Sequence, residues 1–248
     1  DLRSAGVQAI SLSLDGTSPH SHDSFRGLQG TWNRTWQSIH AAQNANLSLQ
    51  INTTISRQNL HEIDKFPDIL LQINPTTWSI FLLVPTGRAQ SNDLISAQQT
   101  EDLFQKLATL STQLPFNIKT TEGHHYRRIL LQRNLAKPNS PGMLGLADGR
   151  GFVFISHTGE IYPSGFLPIS AGNVRTHDLL DVYRNSPLFR DLRNPNLLKG
   201  KCGYCPFRSI CGGSRSRAYA LTGDYLAPEP LCSYQPPNTS ITPTFLSN

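Results

Sequence analysis

Hydrophobic and polar positions along the first half of the chain follow two different periods. Strand-like patterns, either alternating or formed by a short apolar run, cover 9–15, 47–55 and 78–84. Patterns with helical spacing cover about 31–45, 59–71 and 96–113. A repeated order of strand and then helix is typical of parallel βα units. The pattern therefore predicts an α/β fold for this half.

The polar faces of the first two predicted strands carry residues that a packed core does not need. Ser13, Asp15, Asn52 and Thr54 lie at the carboxyl ends of these strands. In a parallel barrel, inward residues at the carboxyl ends of the strands build the active site. These four side chains are therefore candidates for ligand binding. The alternative is that they cap strands and form turns.

A polar segment at residues 116–133 is the next candidate. It places His125, Tyr126 and Arg127 close together after a glycine, and such groups transfer protons or bind anions. The exposed start of a helix would have a similar composition. The segment is therefore a hypothesis for a substrate contact.

The rest of the second half shows shorter patterns. Residues 134–151 are rich in turn residues and predict a boundary. Residues 152–162 predict a β-hairpin and 178–192 predict a helix. The Pro-, Ser- and Thr-rich end, 237–248, predicts a poorly ordered tail.

Composition and charge exclude several classes of protein. The chain has 248 residues, a formal net charge of +5 and 16% charged residues. Its Lys and Arg residues are scattered rather than clustered, which argues against nucleic-acid binding and leaves a basic pocket for an acidic small substrate as the alternative. It has neither an apolar run of about 20 residues nor a signal peptide. We therefore expect a cytoplasmic protein that does not bind membranes.

Four cysteines within 31 residues carry the strongest signal: Cys202, Cys205, Cys211 and Cys232. Two disulfides would require an oxidising compartment, which nothing in the sequence indicates. A structural zinc site usually pairs two similar Cys-x-x-Cys motifs, and only one is present. An iron–sulfur cluster also takes four thiolates, often three close in sequence and one remote. The spacing favours the cluster and leaves zinc open.

The cysteine block resembles a known family. The run from Lys201 to Asp224, followed by Pro230-Leu-Cys232, resembles the auxiliary-cluster domain, SPASM or twitch, at the carboxyl end of radical S-adenosylmethionine (SAM) enzymes. The likeness is greatest to the branch that holds the d-type haem maturase and the alternative-pathway haem synthase. Four further segments, 13–27, 51–55, 82–88 and 172–175, extend the resemblance to residues 5–236.

The resemblance implies an architecture and cofactors. Residues 1–133 would form the last βα units of a partial (β/α) barrel, and 134–236 a small α+β domain that binds an auxiliary 4Fe–4S cluster. The four cysteines would be its ligands. The intact enzyme would also hold SAM and a second 4Fe–4S cluster, and would receive electrons from a donor protein.

The resemblance also implies roles for residues in the first half. Ser13 and Asp15 would lie near the ribose or amino group of SAM, and Arg26 near its carboxylate. Asn52 and Thr54 would face the same cavity, and the backbone at Val84 would meet the adenine. His125, Tyr126 and Arg127 are hypothetical substrate contacts.

Two departures from the family pattern matter. Arg215 and Ser164 stand where a two-cluster SPASM domain has cysteines, so we expect one auxiliary cluster. The three-cysteine motif that binds the SAM-cleaving cluster is absent, as are the first three barrel strands. We therefore expect a fragment that is inactive alone.

The resemblance implies cleavage of SAM to a 5′-deoxyadenosyl radical that modifies a substrate, with a tetrapyrrole of haem-related biosynthesis as the candidate. Two alternatives stay open: a peptide-modifying radical SAM maturase, and a non-catalytic zinc-binding interaction module.

Overall fold

A computed structural model describes residues 2–140, 142–143 and 147–237. The chain divides into two compact units. The first holds the residues up to Leu83 together with Asn92–Ile95 and Gln105–Thr121; the second holds Val84–Ser91, Ser96–Phe104 and the chain from Glu122 onward. The predicted tail lies outside the described residues, except for Pro237. The predicted division into domains stays a prediction.

Among the described residues, helices separate the first four strands, and a β-hairpin is then followed by a series of short helices. The strands are β1 (Ala9–Ser13), β2 (Ser48–Ile55), β3 (Thr77–Leu82), β4 (Asn117–Thr121), β5 (Phe154–Ile155) and β6 (Ile161–Tyr162). The α-helices are α1 (Pro19–Arg26), α2 (Thr31–Asn44), α3 (Phe66–Ile73), α4 (Ala97–Leu110), α5 (Tyr126–Gln132), α6 (Leu179–Asn185), α7 (Pro187–Arg193), α8 (Gly200–Gly203) and α9 (Arg215–Thr222). Short 3₁₀-helices span Leu60–Lys65, Ser91–Asp93 and Pro195–Leu197.

The first unit is built on a parallel sheet with the order β1-β2-β3-β4. Along β2, buried and half-buried residues alternate, as the sequence pattern predicts. The register pairs Ser13 with Asn52, so these two polar residues sit side by side. The α/β class predicted from periodicity is confirmed.

One buried polar residue on the apolar face of β2 is fully hydrogen-bonded. The Thr53 hydroxyl donates to the Leu14 carbonyl at 2.8 Å and accepts from the indole N–H of Trp78 at 2.9 Å. Phe66 of α3 packs against the same indole with ring centroids 5.7 Å apart. This core joins the carboxyl end of β1 to β2 and β3, which fixes the loop that follows β1.

Several elements were not predicted. α1 is almost wholly polar, and its start is fixed instead by the capping box of Ser18 and Ser21. β4 has a single apolar residue, Ile118. The predicted helix at 178–192 is two helices, because Ser186 adopts an extended conformation before Pro187.

The second unit contains the predicted hairpin and the cysteines. β5 and β6 pair antiparallel, with Phe154 opposite Tyr162. A small core of Ile161, Val182 and Phe189 joins the hairpin to α6 and α7. In the part of the chain that the structure describes, no helix is both long and apolar enough to span a membrane.

Candidate iron–sulfur site

All four cysteines of the second unit line one cavity that is partly open to solvent. The other walls include His125, Arg128, Lys201, Phe207, Arg208, Glu229 and Tyr234. The cysteines are half-buried and form no disulfide. The sequence prediction that they act together agrees with this geometry.

Each cysteine sulfur accepts a backbone N–H. The Glu229 N–H donates to Cys202 Sγ at 3.4 Å. For the other three, the donor is the residue two positions further along the chain, which gives the pairs Cys205–Phe207, Cys211–Gly213 and Cys232–Tyr234. Such donors stabilise thiolates and tune iron–sulfur clusters. The backbone is therefore arranged for four anionic sulfurs.

In the absence of a bound metal group, the protein around these sulfurs disfavours loss of the thiol proton. Burial raises the pKa of Cys205, Cys211 and Cys232 above the ordinary thiol value. The positive charge of Arg128 opposes this rise at Cys205 and Cys232. Thiolates in this site are therefore favoured when a cationic group binds them.

Among the described residues, no group of three or more His, Cys, Asp or Glu is arranged to hold a single metal ion. The four cysteines are instead brought together as part of the lining of one cavity.

Two glycines beside the cysteines have a packing role. A Cβ on Gly213, at φ +67°, would lie 2.7 Å from both the Glu229 Cβ and an Arg215 nitrogen. A Cβ on Gly203 would lie 2.3 Å from the Leu198 carbonyl oxygen. Both positions require glycine because the neighbouring chain approaches closely.

A buried ion pair holds the loop that carries Glu229. The Arg217 guanidinium donates to both carboxylate oxygens of Glu229, at 2.9 and 3.0 Å, and both side chains are buried to at least 99%. The carboxylate also accepts the backbone N–H groups of Ser214 and Leu231, at 2.6 and 2.9 Å. Burial works to raise the pKa of Glu229, but the Arg217 charge and these donors hold it at about 2. The sequence did not reveal this pair.

The start of α9 is tied to Glu122, a residue in the left-handed region at φ +56°. The Ser214 hydroxyl donates to the Glu122 carboxyl group, and Arg217 donates to the Glu122 carbonyl at 2.6 Å. Burial, followed by the nearby Asp148 charge, raises the pKa of Glu122 to about 8. Its environment therefore favours the protonated form of the carboxyl group.

The two positions at which the resemblance places extra cysteines carry hydrogen-bonded side chains. The Ser164 hydroxyl lies 3.2 Å from that of Ser216, which in turn donates to Asp148 at 2.9 Å. Arg215 donates to the carbonyls of Tyr225 and Ala227 at 3.0 and 2.7 Å. Both positions serve local packing of the second unit.

The polar segment after β4 is buried rather than solvated. His125, Tyr126 and Arg127 are 1%, 3% and 9% exposed. Arg127 donates to the Ile210 carbonyl at 3.2 Å, next to Cys211. The neighbouring His124 donates from Nδ1 to the Gly213 carbonyl at 2.8 Å. The segment therefore supports the cysteine loop directly.

In the first unit, Asp15 brings several of the predicted SAM residues together. Its carboxylate accepts the Thr54 N–H at 2.7 Å and pairs with Arg26 at 2.7 Å. Asp15 is fully buried, which raises its pKa, and the charge of Arg26 opposes that rise. The Arg26 side chain is 37% exposed. Ser13 and Asn52 are neighbours on adjacent strands.

Val84, the last predicted contact, belongs to the second unit and is 5% exposed. Its carbonyl accepts the Thr86 N–H at 2.8 Å.

Comparison with known proteins assigns the family. The chain is 39% identical to the AdoMet-dependent heme synthase of Methanosarcina barkeri over 249 residues, which cover 95% of the chain and 70% of that protein. It is 39% identical to the enzyme of that name from Nitratidesulfovibrio vulgaris over 246 residues, covering 95% and 67%. The chain belongs to the radical SAM haem synthase family. No family model matches it.

The chain also shares its fold with a radical SAM protein of known structure. Streptococcus suis SuiB bound to precursor peptide SuiA superposes with a TM-score of 0.65 at 18% identity, over 90% of the chain and 53% of SuiB. The predicted fold and enzyme class are confirmed. Radical SAM enzymes use SAM and 4Fe–4S clusters.

Proposed function

We propose that this chain is part of a radical SAM enzyme that modifies a tetrapyrrole in haem formation, with an auxiliary 4Fe–4S cluster held by Cys202, Cys205, Cys211 and Cys232. The identity to two AdoMet-dependent heme synthases over 95% of the chain supports the substrate class. The single observation that supports the ligand set is the cavity lined by all four cysteines. When bound, the cluster would supply one-electron chemistry.

The SAM residues are part of the same proposal. Asp15, which links Thr54 to Arg26, would position the ribose or amino group, and Arg26 would meet the SAM carboxylate through its exposed part. Ser13, Asn52 and Thr54 line the same edge of the sheet, and the Val84 backbone would meet the adenine. SAM cleavage would give a 5′-deoxyadenosyl radical, with electrons from a donor protein.

Anaerobic reconstitution with iron and sulfide tests the cluster. We expect about four irons per chain and a broad absorbance band in the visible, as for cysteine-ligated clusters. Cys205→Ala should lose most of the iron, whereas Ser209→Ala, an exposed change in the same loop, should retain it. One tightly bound zinc, or full iron content in Cys205→Ala, would refute the ligand assignment.

The substrate class needs a separate measurement. Titration with an iron porphyrin that carries propionate side chains should shift its Soret band, and a peptide of mixed sequence should not compete. The likeness to peptide-bound SuiB favours a peptide substrate as the second candidate. An unchanged Soret band together with peptide binding would move the proposal to that candidate.

A further inference from the structure

Two side chains on the wall of the cysteine cavity have nitrogen atoms that lack a hydrogen-bond partner within the described ranges. His125 lacks one at both ring nitrogens, and Arg128 lacks one at Nε. Both residues are at least 97% buried. A buried polar group without a partner destabilises the folded chain, and such groups in native proteins call for an explanation. Because both residues line the cavity, a group inside it is the natural acceptor.

Both side chains are held firmly in place. The His125 ring packs on Phe104 with centroids 4.7 Å apart. The Arg128 guanidinium is fixed by Glu101 and by the Gln132 side-chain oxygen, and its charge lies 4.7 Å from the centre of the Tyr234 ring. These contacts fix the orientation of the His125 ring and of the Arg128 guanidinium, so their N–H groups are pre-organised donors.

The His125 ring is a neutral donor. Burial lowers the pKa of His125 to about 3, so the imidazole carries one N–H at neutral pH. Arg128 is already paired with Glu101, so its Nε–H adds a dipole rather than an unpaired charge. Neither side chain therefore needs a counter-charge from the cavity, only a hydrogen-bond acceptor.

We propose that His125 and Arg128 donate N–H groups to sulfurs of the auxiliary cluster, and that His125 thereby raises the cluster's reduction potential. The inference rests on the proposed cluster. Its physical basis is that a reduced cluster carries one more negative charge, so a hydrogen bond to sulfur stabilises the reduced form more than the oxidised form. This gives His125 a role toward the cluster instead of the substrate contact suggested by the sequence.

The test is a redox titration of the reconstituted full chain. His125→Leu places an apolar side chain against Phe104, which preserves the packing, and removes the N–H donor. We expect the equilibrium constant for one-electron reduction to fall about tenfold, which is about 59 mV. His125→Asn imitates a donor at Nδ1 and His125→Gln one at Nε2, so one of them should recover most of the potential. His157→Leu, an exposed histidine of the same unit, should leave the potential unchanged.

The outcomes separate the two proposals. Fewer than four irons in the unmodified chain would overturn the cluster assignment. Four irons in both proteins with the same potential would overturn the role of His125 while leaving the cluster in place. If His125→Leu does not retain iron, pulsed electron paramagnetic resonance of the reduced unmodified chain, labelled with ¹⁵N-histidine, decides. A ¹⁵N coupling that disappears in the iron-containing Asn or Gln variant supports the contact, and its absence in the unmodified chain overturns it.

Discussion

Replacing Arg217 by methionine would leave the buried Glu229 carboxylate without its counter-charge. The substitution removes the donors at 2.9 and 3.0 Å and leaves the N–H groups of Ser214 and Leu231 as the remaining partners. Both side chains are at least 99% buried, so water cannot replace the lost donors. Breaking a buried pair in this way costs about 3–5 kcal/mol. That corresponds to a shift of about two to four powers of ten in the folding equilibrium.

Urea denaturation of the cluster-free chain, followed by circular dichroism, measures this loss. A surface pair provides the control: Lys199 and Asp224 lie 2.6 Å apart but are 60% and 35% exposed. Lys199→Met should cost at most about 1 kcal/mol. If Arg217→Met does not fold, Arg217→Met/Glu229→Met should fold, because the unpaired charge is then gone as well. A loss below about 1 kcal/mol in Arg217→Met would refute the assignment of this pair as the anchor of the cysteine loop.

Three further outcomes follow from the same unit. Gly213→Ala should destabilise the chain by about 1–3 kcal/mol and lower its iron content. Gly223 is also at positive φ, but no atom lies within 4 Å of a Cβ added there, so Gly223→Ala should destabilise the chain less and keep the iron. Equal effects in the two variants would count against the steric explanation. The pKa of Glu122 is raised to about 8 in the folded state, against 4.5 as its ordinary value, so the free energy of unfolding should fall as the pH rises between these two values. Denaturation at a series of pH values should show a smaller fall in Glu122→Gln. An unchanged slope in that variant would contradict the raised pKa. Removing the iron with a chelator should lower the melting temperature, because a group that binds only the folded chain stabilises it; equal melting temperatures with and without iron would exclude this coupling.

The sequence alone predicted the features that depend on hydrophobic periodicity or on a rare residue type. Alternation along β2 and the apolar run of β3 identified the parallel sheet, because one side of each strand must be buried. The four clustered cysteines predicted a shared site, because few other arrangements explain a rare residue at this density, and in the structure they line one cavity. Polar residues that become buried gave no such signal. Polar side chains are normally exposed, so Glu122 and Glu229 could not be distinguished from surface carboxylates.

The pairing of charges was hidden for a related reason. Glu229 and Arg217 are twelve positions apart in a segment without helical or strand period, and only the folded loop brings them together. The polar helix α1 escaped prediction because its capping box, rather than an apolar face, fixes its start. The serine at position 18 followed by proline at 19 is the signal that could have identified it.

The contacts of Ser164 and Arg215 bear on how this chain can change over evolutionary time. Each side chain is hydrogen-bonded within the second unit. The Ser164 hydroxyl pairs with that of Ser216, and Arg215 donates to two carbonyls beyond α9. A single mutation to cysteine at either position would remove these contacts without yet creating a second cluster. The intermediate would be less stable and gain nothing in exchange. The proposed one-cluster state is therefore difficult to convert into a two-cluster state by single substitutions.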